Sequence, residues 1–243
     1  MIKLEVKDLY KKFKDVEAVK KINFKINQNE TLALLGPNGC GKTTTIGMLL
    51  GLITPSSGQI FINNKELNYK NHQFLDTMNF ASPYVELPKK LSVIENLRVY
   101  GKMYLIKNLE EKINNLIEAL NLKSFQNKKT GELSSGQKNR VSLAKSLIND
   151  PKILLLDEPT ASLDPDTGDY IRSYLEKYKK ENQISILLAS HNMSEVTRLS
   201  DYVLMMKKGQ IIDQGKAKDL INKHGRENLE QVFLKLVRAK NEY

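Results

Sequence analysis

Thr31-Leu32-Ala33-Leu34-Leu35-Gly36-Pro37-Asn38-Gly39-Cys40-Gly41-Lys42-Thr43-Thr44 is the stretch from which the rest of the chain is read. An apolar, strand-like run leads into residues 36–43, which fit G-x-x-x-x-G-K-[ST] without a mismatch, and a helical pattern at 43–50 follows. Strand, glycine loop and helix in that order suit a phosphate group. The glycines let backbone N–H groups turn inward, and the helix N-terminus adds partial positive charge where phosphates sit. Lys42 is placed to reach the β- and γ-phosphates of a nucleoside triphosphate, and the Thr43 hydroxyl to hold Mg²⁺. Gly36, Pro37, Asn38, Gly39, Cys40, Gly41 and Thr44 complete the candidate triphosphate site. Cys40 either is simply a small residue that fits the loop or, near the start of the helix, is a site where a thiolate is favoured.

Two other apolar runs end in polar groups. Ile153-Leu154-Leu155-Leu156 passes directly into Asp157-Glu158. Buried strands of open α/β sheets end at a ligand crevice, so Asp157 is a candidate Mg²⁺ ligand and Glu158 a candidate general base for an attacking water. The run at 184–189 ends at Ser190-His191, which makes His191 a candidate γ-phosphate contact. Leu133-Ser134-Ser135-Gly136-Gln137 opens a helix at 136–148, and its hydroxyls and glycine suit either a second anion site or an ordinary N-cap.

Strand-like runs at 4–9, 31–35, 59–62, 153–156, 184–189 and 203–206 alternate with helical patterns at 93–103, 110–120, 167–180 and 193–199. That alternation predicts α/β units on a largely parallel sheet. Lys208-Gly209-Gln210 before Ile211-Ile212 reads as a hairpin. From Pro83 to Asp150 only helical patterns occur, which predicts a mostly helical subdomain there. A last helix at 228–239 gathers Leu229, Val232, Phe233, Leu236 and Val237 on one face, for its own domain or for a partner.

The bulk numbers bound these readings. With 243 residues, 40% apolar and 27% charged, the chain has the means for a sizeable globular core. Its apolar runs are short, as at 32–35 and 153–156, whereas a bilayer span takes about twenty residues. Residues 1–10 alternate like a strand and not like a signal peptide. The single cysteine excludes an internal disulfide and a cysteine-built metal site, and fits a reducing compartment. The net charge of +10 includes scattered lysine pairs and no basic block, which reads as a solvated surface or, alternatively, as an anionic docking face; nucleic acid is not an expected partner.

In this order and spacing the segments resemble the nucleotide-binding subunit of ABC transporters, over essentially the whole chain. Residues 36–43 resemble the Walker A loop, 153–158 Walker B, and Leu133-Ser134-Ser135-Gly136-Gln137 the LSGGQ signature. Ser162-Leu163-Asp164 resembles the D-loop and His191 the switch histidine; Phe13 stands where the family usually places an aromatic that stacks on adenine. The resemblance implies an α/β fold with a P-loop NTPase core, a mostly parallel sheet with flanking helices. It also implies an N-terminal antiparallel β part and, within a single 1–243 domain, an inserted helical subdomain at about 84–150. ATP and Mg²⁺ follow from it, as do ATP hydrolysis and an ATP-dependent head-to-tail homodimer. Ser134, Ser135, Gly136 and Gln137 would cap the γ-phosphate held by the second ATPase subunit. The membrane permease subunits would be separate chains, with this one peripheral at the cytoplasmic face of the membrane.

Two departures from the family pattern stand out. Ser135 replaces the second signature glycine, and Ala81-Ser82-Pro83-Tyr84 carries no glutamine where the Q-loop falls. Ser82 serves in its place or that ligand is missing. Residues 84–90 remain the candidate docking surface for the permease. The tail Asn228-Leu229-Glu230-Gln231-Val232-Phe233-Leu234 resembles ATPases paired with ABC-2-type export permeases, and the regulatory domain of many sugar importers is absent, which favours export. A GTPase would need N-K-x-D, and the Asn-Lys pairs at 64, 127 and 222 all lack the aspartate. Soluble relatives acting in DNA repair or on ribosomes resemble tandem cassettes or cassettes interrupted by coiled coils, unlike this uninterrupted one.

Overall fold

The computed structural model describes residues 1–69 and 73–239. In chain order its elements are β1 (Ile2–Phe13), β2 (Val16–Asn27), β3 (Thr31–Leu35), α1 (Lys42–Leu49), β4 (Ser57–Ile62), β5 (Lys65–Glu66), β6 (Met78–Ala81), α2 (Val93–Met103) and α3 (Leu109–Ala119). They continue as α4 (Ser135–Ser146), β7 (Ile153–Asp157), α5 (Pro165–Asn182), β8 (Ser185–Ser190), α6 (Met193–Leu199), β9 (Tyr202–Lys207), β10 (Gln210–Gly215), α7 (Ala217–His224) and α8 (Leu229–Ala239). Two compact units result, Met1–Phe74 with Ser185–Tyr243, and Leu75–Ile184.

In the first unit β3 is buried at every residue and has a parallel neighbour on each side, β8 and β9. A strand covered on both faces is apolar throughout, which is why Leu32-Ala33-Leu34-Leu35 reads so clearly. The register pairs Leu34 with Ala189 and Leu35 with Ser190, so β3 and β8 end level. β10 folds back antiparallel on β9. A second, wholly antiparallel sheet runs β2-β1-β4-β5 and buries Leu4, Val6, Ile22, Phe24 and Ile26.

β2 is absent from the sequence reading. Its apolar alternation is interrupted by Lys20-Lys21, and its register against β1 slips between Leu9 and Lys11. The last helix, α8, lays Leu229, Val232 and Phe233 on a cluster that includes Ala33, Leu35, Val203 and Met205. Its apolar face therefore belongs to its own unit, where each such side chain contributes about 1.5–3 kcal/mol.

In the second unit β6 and β7 pair in parallel, Met78 with Ile153 and Ala81 with Leu156. Between them the chain forms α2, α3 and α4, with no strand among the named elements. A capping box of Ser92 and Glu95 starts α2, and the Ser92 N–H and hydroxyl hold the Glu95 carboxyl below the usual carboxylate range. Strand β6 also escapes the sequence reading, being four residues long with Asn79 inside it. Buried Asn79 donates to Asn149 Oδ1 at 2.8 Å and accepts from Lys145 Nζ at 3.2 Å. Burial pushes that lysine's pKa down to about 8. Among the described residues no helix is long and apolar enough to cross a membrane.

Candidate functional site

At the end of β3 the chain enters a loop moulded by close backbone approaches. A Cβ on Gly36 would fall 2.5 Å from Met206 O. Gly41 adopts φ +111°, and a Cβ there would fall 2.5 Å from Ala18 O. Only glycine satisfies both demands at Gly41. Buried Lys42 curls back, its Nζ donating to Gly36 O at 2.6 Å and Pro37 O at 3.3 Å. Gly41 is the N-cap of α1, which has no side-chain cap and no acidic residue in its first turn. Pro37, Asn38, Gly39 and Thr43 are exposed at the mouth of this loop, and Thr44 is half-buried.

Cys40 departs from the thiolate reading. The thiol is 2% exposed, and burial pushes it above its ordinary 9.0, outweighing the pull of the Lys42 ammonium and the backbone N–H groups. Desolvation of an anion outweighs the field of one helix end here, so the thiolate is disfavoured.

Because Leu35 pairs with Ser190, Gly36 and His191 leave the sheet at the same end of neighbouring strands. His191 is exposed, and its turn is braced from behind. Ser190 Oγ donates to buried Glu195 at 2.6 Å and accepts from Asn192 N at 3.0 Å, while Asn192 Oδ1 caps Ser194 and Glu195. Phe13 closes β1, 44% exposed, with Lys11 Nζ 4.7 Å from its ring centroid. Lys11 is itself fixed by Thr54 O at 2.7 Å. The first unit thus holds Phe13, the whole of residues 36–44, and His191.

The second unit holds the remaining candidates. Asp157 ends β7 and Glu158 follows at φ +53°, both buried. Asn139 of α4 braces the next turn, donating to Pro159 O at 2.8 Å and Ala161 O at 3.0 Å. Asp164 caps α5 by accepting from Thr167 N at 2.9 Å, which holds its carboxyl below the usual range. Ser134 and Gln137 form a reciprocal capping box at the start of α4. Ser135 and Ser162 line a groove of about 300 Å³, together with Ser82, Tyr84, Leu87 and Leu133. Ser82 is buried, and its hydroxyl accepts from Tyr84 N at 3.3 Å.

Asn139, Glu195 and Lys11 carry no motif of their own. Asn139 and Glu195 hold the turns next to Glu158 and His191, and Lys11 lies against Phe13, contacts that only the three-dimensional structure reveals.

A buried ammonium and an uncapped helix front behind a glycine loop, at the end of a buried parallel strand, define a P-loop nucleotide-binding protein. Comparison with known proteins narrows the class. A family model described as ABC transporter matches residues 19–161. The chain is 34% identical over 90% of its length to "Nod factor export ATP-binding protein I" of Cupriavidus pinatubonensis, spanning 68% of that protein. It is 32% identical over 90% of its length to "Spermidine/putrescine import ATP-binding protein PotA" of Clostridium novyi, spanning 63% of it. Among solved structures, a dimeric ATP-binding cassette in a post-hydrolysis state with ADP and Pi matches with a TM-score of 0.82 and 25% identity, over 88% of this chain and 98% of that one. This chain belongs to the ABC transporter family, as an ATP-binding subunit with the fold and activity of a P-loop ATPase.

Proposed function

We propose that this subunit powers export through separate membrane-spanning permease chains, as one half of an ATP-closed homodimer at the cytoplasmic face of the membrane. Residues 1–243 act as one ATPase domain, with a helical subdomain at about 84–150 inserted in it. The observation that carries this reading is the open front of α1, with Lys42 turned onto loop carbonyls and no acid in the first turn. An ammonium satisfied only by carbonyl oxygens gains from exchanging them for phosphate oxygens. Phe13 offers a ring face for adenine, and residues 36–44 the donors for the triphosphate.

Thr43 and Asp157 are the groups that would hold Mg²⁺, which, when bound, offsets phosphate charge. A threonine hydroxyl and a carboxylate are each oxygen donors of the kind Mg²⁺ takes beside phosphate and water. Glu158 accepts the proton of the attacking water and His191 contacts the γ-phosphate. Ser134, Ser135, Gly136 and Gln137 serve the nucleotide of the second subunit, with Ser162 and Asp164 beside them on the facing surface. Export is supported by the tail at 228–234 and by the name of the Cupriavidus relative. Residues 84–90 and the groove behind them are the permease-docking surface.

Glu158→Gln tests the shared site. With MgATP this variant should elute as a dimer in size-exclusion chromatography and show no turnover; a monomer under those conditions overturns the proposal. The same variant, used to capture partners from detergent-solubilised membranes, should retain an ABC-2-type permease by mass spectrometry. Recovery of a permease together with a solute-binding protein would replace export with import.

A further inference from the structure

We infer that Gly209, at the tip of the β9–β10 hairpin, is a positioning residue that sets the direction of the Cys40–Gly41 peptide in the phosphate loop. Its N–H donates to Cys40 O at 3.0 Å, and its own carbonyl accepts from Lys20 N of β2 at 2.8 Å. One residue thereby joins the loop to the neighbouring sheet by two backbone hydrogen bonds. The inference rests on the reading of residues 36–44 as the nucleotide site.

The carbonyl of Cys40 and the N–H of Gly41 belong to one peptide and point in opposite directions. Holding the carbonyl outward, on Gly209, therefore holds the Gly41 N–H inward, on the side where an anion would sit. The neighbouring groups are held separately, Cys40 N by Pro37 O and Gly41 O by Thr45, and the Cys40 carbonyl itself is held by Gly209. Gly41 has no Cβ and lies at φ +111°, so its own residue adds no side-chain restraint to the direction of this plane. A rotated plane would turn a carbonyl dipole toward the phosphates and replace an attraction by a repulsion.

The fit leaves no room for a side chain. Gly209 lies at φ +80°, and a Cβ there would fall 2.9 Å from Ala18 O and 3.2 Å from Glu17 O. Ala18 O is also the atom 2.5 Å from where a Gly41 Cβ would be. The β2 backbone, the loop and the hairpin tip are thus stacked without side chains between them, a distance that glycines at 41 and 209 make possible. Behind the tip, Lys207 Nζ donates to Val237 O near the end of α8, which anchors the hairpin against the last helix. The adjacent Lys208 is exposed and takes no part in the brace.

Gly209→Ala in the full chain tests this, with Lys208→Ala as the control in the same turn. The Ala variant should raise the KM for ATP about tenfold while kcat at saturating ATP changes less than twofold. Cys40, the single cysteine, gives a second readout that needs no nucleotide. Its maleimide labelling should be several-fold faster in Gly209→Ala than in wild type or Lys208→Ala, in protein that circular dichroism shows to be folded at the assay temperature. Wild-type KM and wild-type labelling in folded Gly209→Ala would overturn the inference. Should that variant not fold, hydrogen exchange of the wild-type Gly209 amide decides: slowing at least fivefold with a non-hydrolysable MgATP analogue supports the brace, and an unchanged rate overturns it. If instead the analogue fails to slow Cys40 labelling in wild type, the nucleotide-site reading is at fault and not the brace.

Discussion

Helices α1 and α4 both begin with small, hydroxyl-rich or glycine-rich sequence, yet their fronts are opposite in kind. The front of α4 is closed on itself: Ser134 Oγ accepts from Gln137 N at 3.3 Å and Gln137 Oε1 accepts from Ser134 N at 3.0 Å. At α1 the cap position is Gly41, with no side chain to accept a hydrogen bond and no acid in the turn that follows. Every helix leaves its first N–H groups without helical partners, and something must meet them. Where the chain supplies the acceptor, the helix is stable alone and an incoming anion has to displace it. Where the chain withholds the acceptor, the ligand becomes the cap. A glycine at the cap position and a lysine turned back on the loop distinguish the second case from the first.

The largest way to break this contrast is at Lys42. Lys42→Ala should lower ATP affinity at least 100-fold, about 3 kcal/mol by calorimetry; a loss within tenfold would mean that the helix front alone suffices. Cys40 sharpens it next. Its buried thiol should label slowly with maleimide at pH 7, with the rate still climbing past pH 9, and MgATP should slow it further. Alkylated protein should not bind ATP, and fast labelling at neutral pH would mean that the helix end prevails over burial.

At the closed front, Ser134→Ala should cost about 1 kcal/mol, a fall of roughly 2–4 °C in Tm for a chain of this size. ATP affinity of the monomer should not change, and calorimetry of both variants checks the pair. The smallest effect belongs to Asp164→Asn at the start of α5. The Asp164 carboxyl is held below its ordinary 3.8 by Thr167 N–H, so its contribution is present above pH 3.8 and fades as the pH falls through the lower folded value. Any stability margin of wild type over the Asn variant should therefore vanish in acid titration below that point; a margin that grows there would reverse the sign.

What could be read in the sequence follows the same divide between local and distant causes. β3, β7 and β8 are legible because burial on both faces leaves an unbroken apolar run, and α2 because Ser92 and Glu95 mark its start within one turn. Residues 36–43, proposed as the phosphate cradle, are legible for a related reason: such a cradle is made by one short contiguous segment. β2 is not, since Lys20-Lys21 interrupt its pattern and its partner slips in register. Nor is β6, whose Asn79 looks like a loop residue until Asn149 and Lys145 are seen to satisfy it. Asn139 presents as an ordinary polar helix residue, and its burial against Pro159 O and Ala161 O depends on a contact made across α4 and the turn after β7. At Cys40 the sequence shows the nearby helix end but not the burial that pushes the thiol up, so the choice between a thiolate and a small buried residue is not legible there.

The unfinished front of α1 also ties the durability of the protein to the energy state of its surroundings. A ligand that binds only the folded form at one hundred times its Kd adds about 2.7 kcal/mol to stability. When ATP runs short, that reserve disappears and the chain unfolds or is degraded sooner. Its lifetime is thus metered by the same molecule it consumes.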